Sequence, residues 1–355
     1  FPTLSAAATP LLAADMFADE VPPPPDPAPF SDLRTVDKGN PVAKDTTNAI
    51  PSAYLSPQPA TQSANLSPQW ATGVWVAQGP GPSRTGQVEN IIPDKEVSGA
   101  LHTVLAHPTD PDILYVGGTN GGLWRTRNAT AASPHWVALT DYHPSLSIDA
   151  LAFDRTDANW QTLVAGIGRY SSFARTGGAR TGLLRTTDGG DTWSELDGGG
   201  VLSGKNISGI AVRGSTIVVS VNTADSFTCG NIGIYRSTDG GLSFALVTSG
   251  IPQAVAYDLI VDPTDDQILL TSIVTLNSCP GSSGIYRSTD TGATWQKVSN
   301  TAVENLITNA TSNLELAAGP SGAVFAAVIN QGRLAGIFRT PDASTSSYHS
   351  CLLYT

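Results

Sequence analysis

Three arginines and two aromatic residues share one short stretch, Gly168-Arg169-Tyr170-Ser171-Ser172-Phe173-Ala174-Arg175-Thr176-Gly177-Gly178-Ala179-Arg180. A guanidinium is a planar fork of donors that grips a carboxylate through two hydrogen bonds, and an aromatic ring is a flat face on which a sugar can stack. Arg169, Tyr170, Phe173, Arg175 and Arg180 therefore form the candidate ligand-binding set. The same arginines would also suit a solvated loop that offsets nearby acids, since the chain has a net charge of −11. His102, His107, His135, His143 and His349 show no metal-ligand spacing. The acidic stretches Asp110-Pro111-Asp112 and Asp262 to Asp266 lack the alternation of a calcium loop and read as turns. No metal and no cofactor is expected.

The elements that must position these groups announce themselves by repetition. Gly284-Ile285-Tyr286-Arg287-Ser288-Thr289-Asp290-Thr291-Gly292-Ala293-Thr294-Trp295 reads as a strand, a tight turn and the start of a second strand. An Asp that accepts backbone N–H groups and a Gly free to take positive φ supply the turn. Trp295 anchors the second strand with a large apolar side chain. The same pattern occurs at Thr186, Asp188, Gly190 and Trp193, and again at Ser237, Asp239, Gly241 and Phe244. Ser288, Asp290, Gly292 and Trp295 form the third set, and a decayed copy ends at Asp342. The four Asp positions are spaced by 51, 51 and 52 residues, so one supersecondary unit is arrayed along the chain. Such a unit cannot bury its own sheet faces and must stack on its neighbours. Gly 35, Pro 25 and a charged fraction of 14% favour short strands and turns over long helices. The acidic balance argues against nucleic acid, and no apolar run is long enough for a membrane span.

The pattern Ser/Thr-x-Asp-x-Gly-x-Thr/Ser-Trp/Phe resembles the Asp-box, or BNR repeat, of sialidases, xyloglucanase-type glycosidases, sortilin-type receptors and photosystem assembly factors. The resemblance spans roughly residues 72 to 342. It implies an all-β fold, a β-propeller of four-stranded blades in which each box is a hairpin turn between the outer two strands, with about five blades visible and the array truncated. It also implies a structural role for the boxes and a ligand face at the other rim, made of loops joining strands two to three and four to one. The Arg169 to Arg180 stretch is the longest such loop. Cys229 and Cys279 fall in matching loops of adjacent blades and are the candidate disulfide, which would suit an exported protein.

In order along the chain, residues 1–70 hold Pro22-Pro23-Pro24-Pro25 and few large apolar side chains, a disordered or extended leader. The propeller is expected over 72–349, with Trp75 on an isolated outermost strand. Blades begin with inner strands near Leu101, Ile148, Ile207, Val255 and Leu314. The fifth blade is expected to stop in its third strand. Residues 350–355 read as a non-native tail on a truncated fragment.

The resemblance leaves the enzyme question open, leaning against activity. Sialidases need an arginine triad, a Tyr–Glu pair and an Asp. Arg169, Tyr170 and Glu195 are available, but the Phe/Tyr-Arg-Ile-Pro signature is missing. Where xyloglucanase-type enzymes have a catalytic Asp, the segment Gly117-Gly118-Thr119-Asn120-Gly121-Gly122 has Thr119. The expected function is an exported, extracellular or periplasmic/cell-surface, monomeric recognition module for a glycan or cell-surface protein. The alternative is a sialidase-like or other glycoside hydrolase.

Overall fold

The computed structural model describes residues 99–170, 176–225, 228–275, 279–309, 311–319, 321–341 and 348–350. They form five four-stranded antiparallel blades arranged as a propeller. Blade one is β1 (Leu101–Ala106), β2 (Leu114–Gly118), β3 (Gly122–Thr126) and β4 (Trp136–Ala138). Blade two is β5 (Ile148–Phe153), β6 (Leu163–Ile167), β7 (Leu183–Thr186) and β8 (Ser194–Leu196). Blade three is β9 (Lys205–Arg213), β10 (Thr216–Ala224), β11 (Gly233–Ser237) and β12 (Ala245–Leu246). Blade four is β13 (Val255–Val261), β14 (Leu269–Val274), β15 (Gly284–Ser288) and β16 (Gln296–Lys297), followed by a single helical turn, α1 (Thr301–Glu304). Blade five is β17 (Thr311–Ala318), β18 (Val324–Asn330), β19 (Arg333–Thr340) and β20 (His349–Ser350).

Blade five corrects one expectation: it does not stop in its third strand. Phe338 pairs with Ser350 and Arg339 with His349, so a fourth strand is present. No Trp marks this strand in the sequence, but the buried Tyr348 precedes it, and its carbonyl accepts from Asn300 Nδ2 at 2.8 Å. The leader, Trp75 and residues 351–355 lie outside the described residues.

The second strands of blades two and four are buried on both faces. All six residues of β14 and all five of β6 are inaccessible, as expected of a sheet covered from two sides. Successive inner strands β1, β5, β9, β13 and β17 are neighbours around the axis. The second strands of blades one and two come so close to the inner strand of the next blade that side chains must be removed. A Cβ on Gly166 would lie 2.7 Å from Ile207 Cγ2, and one on Gly117 would lie 2.6 Å from Ile148 Cγ2.

The repeated turns share one hydrogen-bond scheme. The Asp290 carboxylate accepts from the Ser288 hydroxyl (2.7 Å), Thr294 N (2.9 Å) and the Thr294 hydroxyl (2.6 Å), while Ser288 Oγ accepts from Gly292 N at 2.8 Å. Asp188 and Asp239 repeat it. The Thr186 hydroxyl foremost, with the Thr192 hydroxyl and N–H, holds the Asp188 carboxyl well below the usual range. Blade one reaches a related result with an amide: Asn128 Oδ1 accepts from Thr126 Oγ1 and, across an insertion, from His135 N. The turns are also tied from the preceding blade. Arg125 donates to Gly189 O at 2.5 Å, and Arg236 to Thr291 O at 2.9 Å. Cys229 and Cys279 are joined as a disulfide between the blade-three and blade-four loops.

Two stability outcomes are expected from this geometry. Gly166→Val drives a branched side chain into Ile207, and over-packing of this kind costs about 1–3 kcal/mol. Thr291 sits at φ 56°, where its counterparts are Gly189 and Gly240. Thr291→Gly should therefore add roughly 1 kcal/mol by releasing left-handed strain. Thermal unfolding of the two variants beside wild type checks both signs: a stable Val variant or a destabilised Gly variant would contradict the packing described here.

Candidate functional site

Each inner strand has one residue too many for its partner. The pairing slips by one near the start of the strand, and the extra residue is His102 in β1, Asp149 in β5, Ser208 in β9, Tyr257 in β13 and Ser312 in β17. A bulge of this kind re-aims a side chain and locally ends regular pairing. All five lie at the end where the loops from strand two to three and from strand four to one emerge, opposite the repeated turns. The result is a collar of mostly polar residues around the axis at one mouth.

The blade-two loop closes over this collar. Tyr170 N donates to Asp149 Oδ2 at 3.1 Å, and the Tyr170 hydroxyl crosses to Ser312 O of blade five at 2.6 Å. Its ring lies 5.9 Å from that of Tyr257, whose hydroxyl donates to Thr311 O. Ser208 Oγ donates to Ala256 O at 2.7 Å. Arg169 N donates to Asn206 Oδ1 at 2.9 Å.

On the blade-one side, Asn120 organises the loops. Its amide donates to Thr176 O at 3.2 Å and its oxygen accepts from Ser147 Oγ at 2.7 Å, which in turn accepts from Gly178 N. Gly177 and Gly178 permit this: a Cβ on either would fall about 2.5 Å from Asn120 Oδ1 or Ser145 Oγ. Beside these loops, Tyr142 stands fully exposed.

Two carboxyl groups near the axis have raised pKa values. Asp149 is buried, and Oδ1 has no hydrogen-bond partner among the described residues. Burial foremost pushes its carboxyl up, against the opposing pull of His102 and the Tyr170 N–H. Asp258, the residue after the blade-four bulge, spans two inner strands by accepting from Leu259 N (2.7 Å) and Leu316 N (2.8 Å). Its carboxyl is also raised, by burial first and then by the Glu315 carboxylate.

The structure sorts the residues singled out by sequence. Tyr170 reaches the axis. Arg169 and Arg180 both turn to Asp225, Arg169 at 3.6 Å and Arg180 in direct contact, so this loop does neutralise part of its own charge. Phe173 and Arg175 lie outside the described residues. Glu195 does not join Arg169 and Tyr170: it sits on β8, the outermost strand of blade two, 3.7 Å from His143. Thr119 is buried in the blade-one hairpin, where its N–H donates to Ala100 O. Asp149, Asn206, Tyr257 and Tyr142 are not evident from sequence, because a bulge and its direction are set by strand register, which periodicity does not reveal. The one available signal is a polar residue interrupting an apolar run, as in Ile148-Asp149-Ala150. Among the described residues no three metal-ligating side chains cluster, and no helix is long and apolar enough to cross a membrane.

No family model matches the chain. It is 27% identical over 254 residues to Xyloglucanase Xgh74A of Acetivibrio thermocellus, an alignment covering 61% of this chain and 28% of that protein. It is 28% identical over 232 residues to a xyloglucanase of a Paenibacillus species, covering 56% of this chain and 21% of that one. The chain thus spans less than a third of the length of these relatives. Among solved structures, an ancestral GH74 enzyme superposes with a TM-score of 0.50 at 16% identity, covering 78% of this chain and 32% of that one, a likeness of fold.

The buried Asp149 yields a prediction with a definite sign. A carboxyl whose pKa is raised on folding binds its proton more tightly folded than unfolded, so its contribution to stability falls as pH rises above the unfolded value of about 4. Asp149→Asn keeps the shape without the charge. Its thermal midpoint should gain on wild type as pH rises above about 4, and parallel profiles would show that the Asp149 pKa is not raised on folding.

Proposed function

We propose that this propeller recognises a neutral β-glucan-type polysaccharide, with xyloglucan as the first candidate, at the rim that bears the five bulges. The observation behind the reading is the chemistry of that rim. The exposed Asn120 and Tyr142 give it an amide and an aromatic ring, the kinds of group that bind sugar hydroxyls and stack on ring faces. The sequence likeness to xyloglucanases supports the same substrate class. The opposite rim is an unsuitable site, because its carboxylates are already saturated by their own turns. We read those turns as Asp-boxes and the protein as exported, which the disulfide favours.

Hydrolysis is the second reading, favoured by the xyloglucanase relatives and by the raised pKa of Asp149, which suits a proton donor. Glycosidases need two carboxyl groups about 5–9.5 Å apart across the scissile bond. Asp258 and Glu315 act on each other directly and do not provide that gap, so Asp149 would need a second acid facing it.

Titration with xyloglucan oligosaccharides, run beside an assay for released reducing ends, tests the proposal. Binding should be present in wild type and weakened about tenfold, or roughly 1.4 kcal/mol, in Tyr142→Ala. Turnover abolished by Asp149→Asn would move the reading to hydrolysis. Neither binding nor turnover at millimolar oligosaccharide would overturn both and leave a protein partner as the remaining class.

A further inference from the structure

Between blades two and three, on the same rim but away from the axis, lies a cavity of about 410 Å³. Arg169, Arg180, Lys205, Asp225, Asn231 and Ser203 line it. Three cations face one carboxylate, an excess of positive charge in a chain whose net charge is −11.

The charges are built in. The Arg180 side chain is 6% exposed and bound to Asp225 Oδ1, and Arg169 reaches the same oxygen at 3.6 Å. Gly204 takes a φ of 74°, and a Cβ there would come within 2.9 Å of Asp225 Oδ2, so the absence of a side chain leaves room for the carboxylate. Asp225 is engaged by both arginines, yet Lys205 makes no ion pair among the described residues. Its ammonium lies 5.6 Å from the centre of the Tyr235 ring, and partial burial lowers its pKa. A partly desolvated ammonium facing a cavity gains most from an incoming anion.

The size of the cavity narrows the choice of anion. It exceeds by roughly tenfold the 30 Å³ or so that one water occupies in the liquid, so an inorganic ion would leave it mostly empty. Ser203 and Asn231 add hydroxyl and amide groups suited to sugar hydroxyls. We propose that this cleft binds the carboxylate of a uronosyl residue, with Lys205 as its counter-charge and the polar wall facing the sugar ring. The inference rests on the polysaccharide reading above and extends it to a second, acidic-sugar subsite.

The test is a set of titrations on the full chain at low salt. The probes are a glucuronic-acid-bearing oligosaccharide, its carboxyl-reduced neutral counterpart, sodium acetate and inorganic phosphate. The acidic sugar should bind at least tenfold more tightly than the reduced form. Lys205→Gln should erase that difference with an unchanged thermal midpoint, Lys205→Arg should restore it, and xyloglucan binding should be the same in all three proteins. Equal affinity for the acidic and reduced sugars overturns the subsite while leaving xyloglucan recognition intact. Acetate or phosphate competing as strongly as the uronosyl sugar shows a general anion site and overturns it as well. Uronosyl selectivity without xyloglucan binding keeps the cleft and removes the neutral-glucan reading.

Discussion

The structure depends on how closely the first two strands of each blade approach the inner strand of the next. Blades are sheets apolar on both faces, and only neighbours can cover them. The contact is tightest where Gly117 meets Ile148 and Gly166 meets Ile207, and a Cβ on Gly209 would lie 2.7 Å from Leu259 N. Regular pairing cannot continue through that crowding to the mouth, and at each inner strand the register slips by one residue. The bulges that line the candidate site are thus found where the packing is most demanding.

The two rims then divide the labour. At the turn rim Asp188, Asp239 and Asp290 each accept hydroxyl and backbone donors from their own turn, and arginines from the preceding blade bind the turn carbonyls. These bonds hold strands three and four together and lock adjacent blades. At the loop rim hydrogen bonds run between blades, as from Tyr170 to Ser312 and from Ser147 to Asn120, and a buried carboxylate oxygen of Asp149 is left without a partner among the described residues. An unsatisfied buried oxygen is costly. Its presence at this mouth is consistent with a rim shaped for a ligand instead of for stability alone.

Much of the fold was legible because the repeat is written in residues that only a turn explains. Asp290 and Gly292 declare the hairpin, Trp295 its anchor, and the interval from Asp239 to Asp290 the blade. The fourth strand of blade five was not legible, because Tyr348 stands where a Trp was sought. The site was less legible still. Arginines on the blade-two loop stand out in the sequence, but their partner Asp225 lies in the next blade, and only the fold brings it near. Asp149 looks like an ordinary break in an apolar run, and a one-residue slip of register is what turns it toward the mouth. Asn206 holds the Arg169 backbone and Ser208 bridges to blade four, contacts that only the fold reveals.

The central claim is that ligand recognition belongs to the bulged rim. Hydrogen–deuterium exchange with and without xyloglucan oligosaccharide tests it most directly, because both rims are read in one experiment. The account predicts slowed exchange in peptides covering 118–122, 139–147 and 176–182, with no change across 188–193, 239–244 and 290–295. Protection confined to the repeated turns would contradict it.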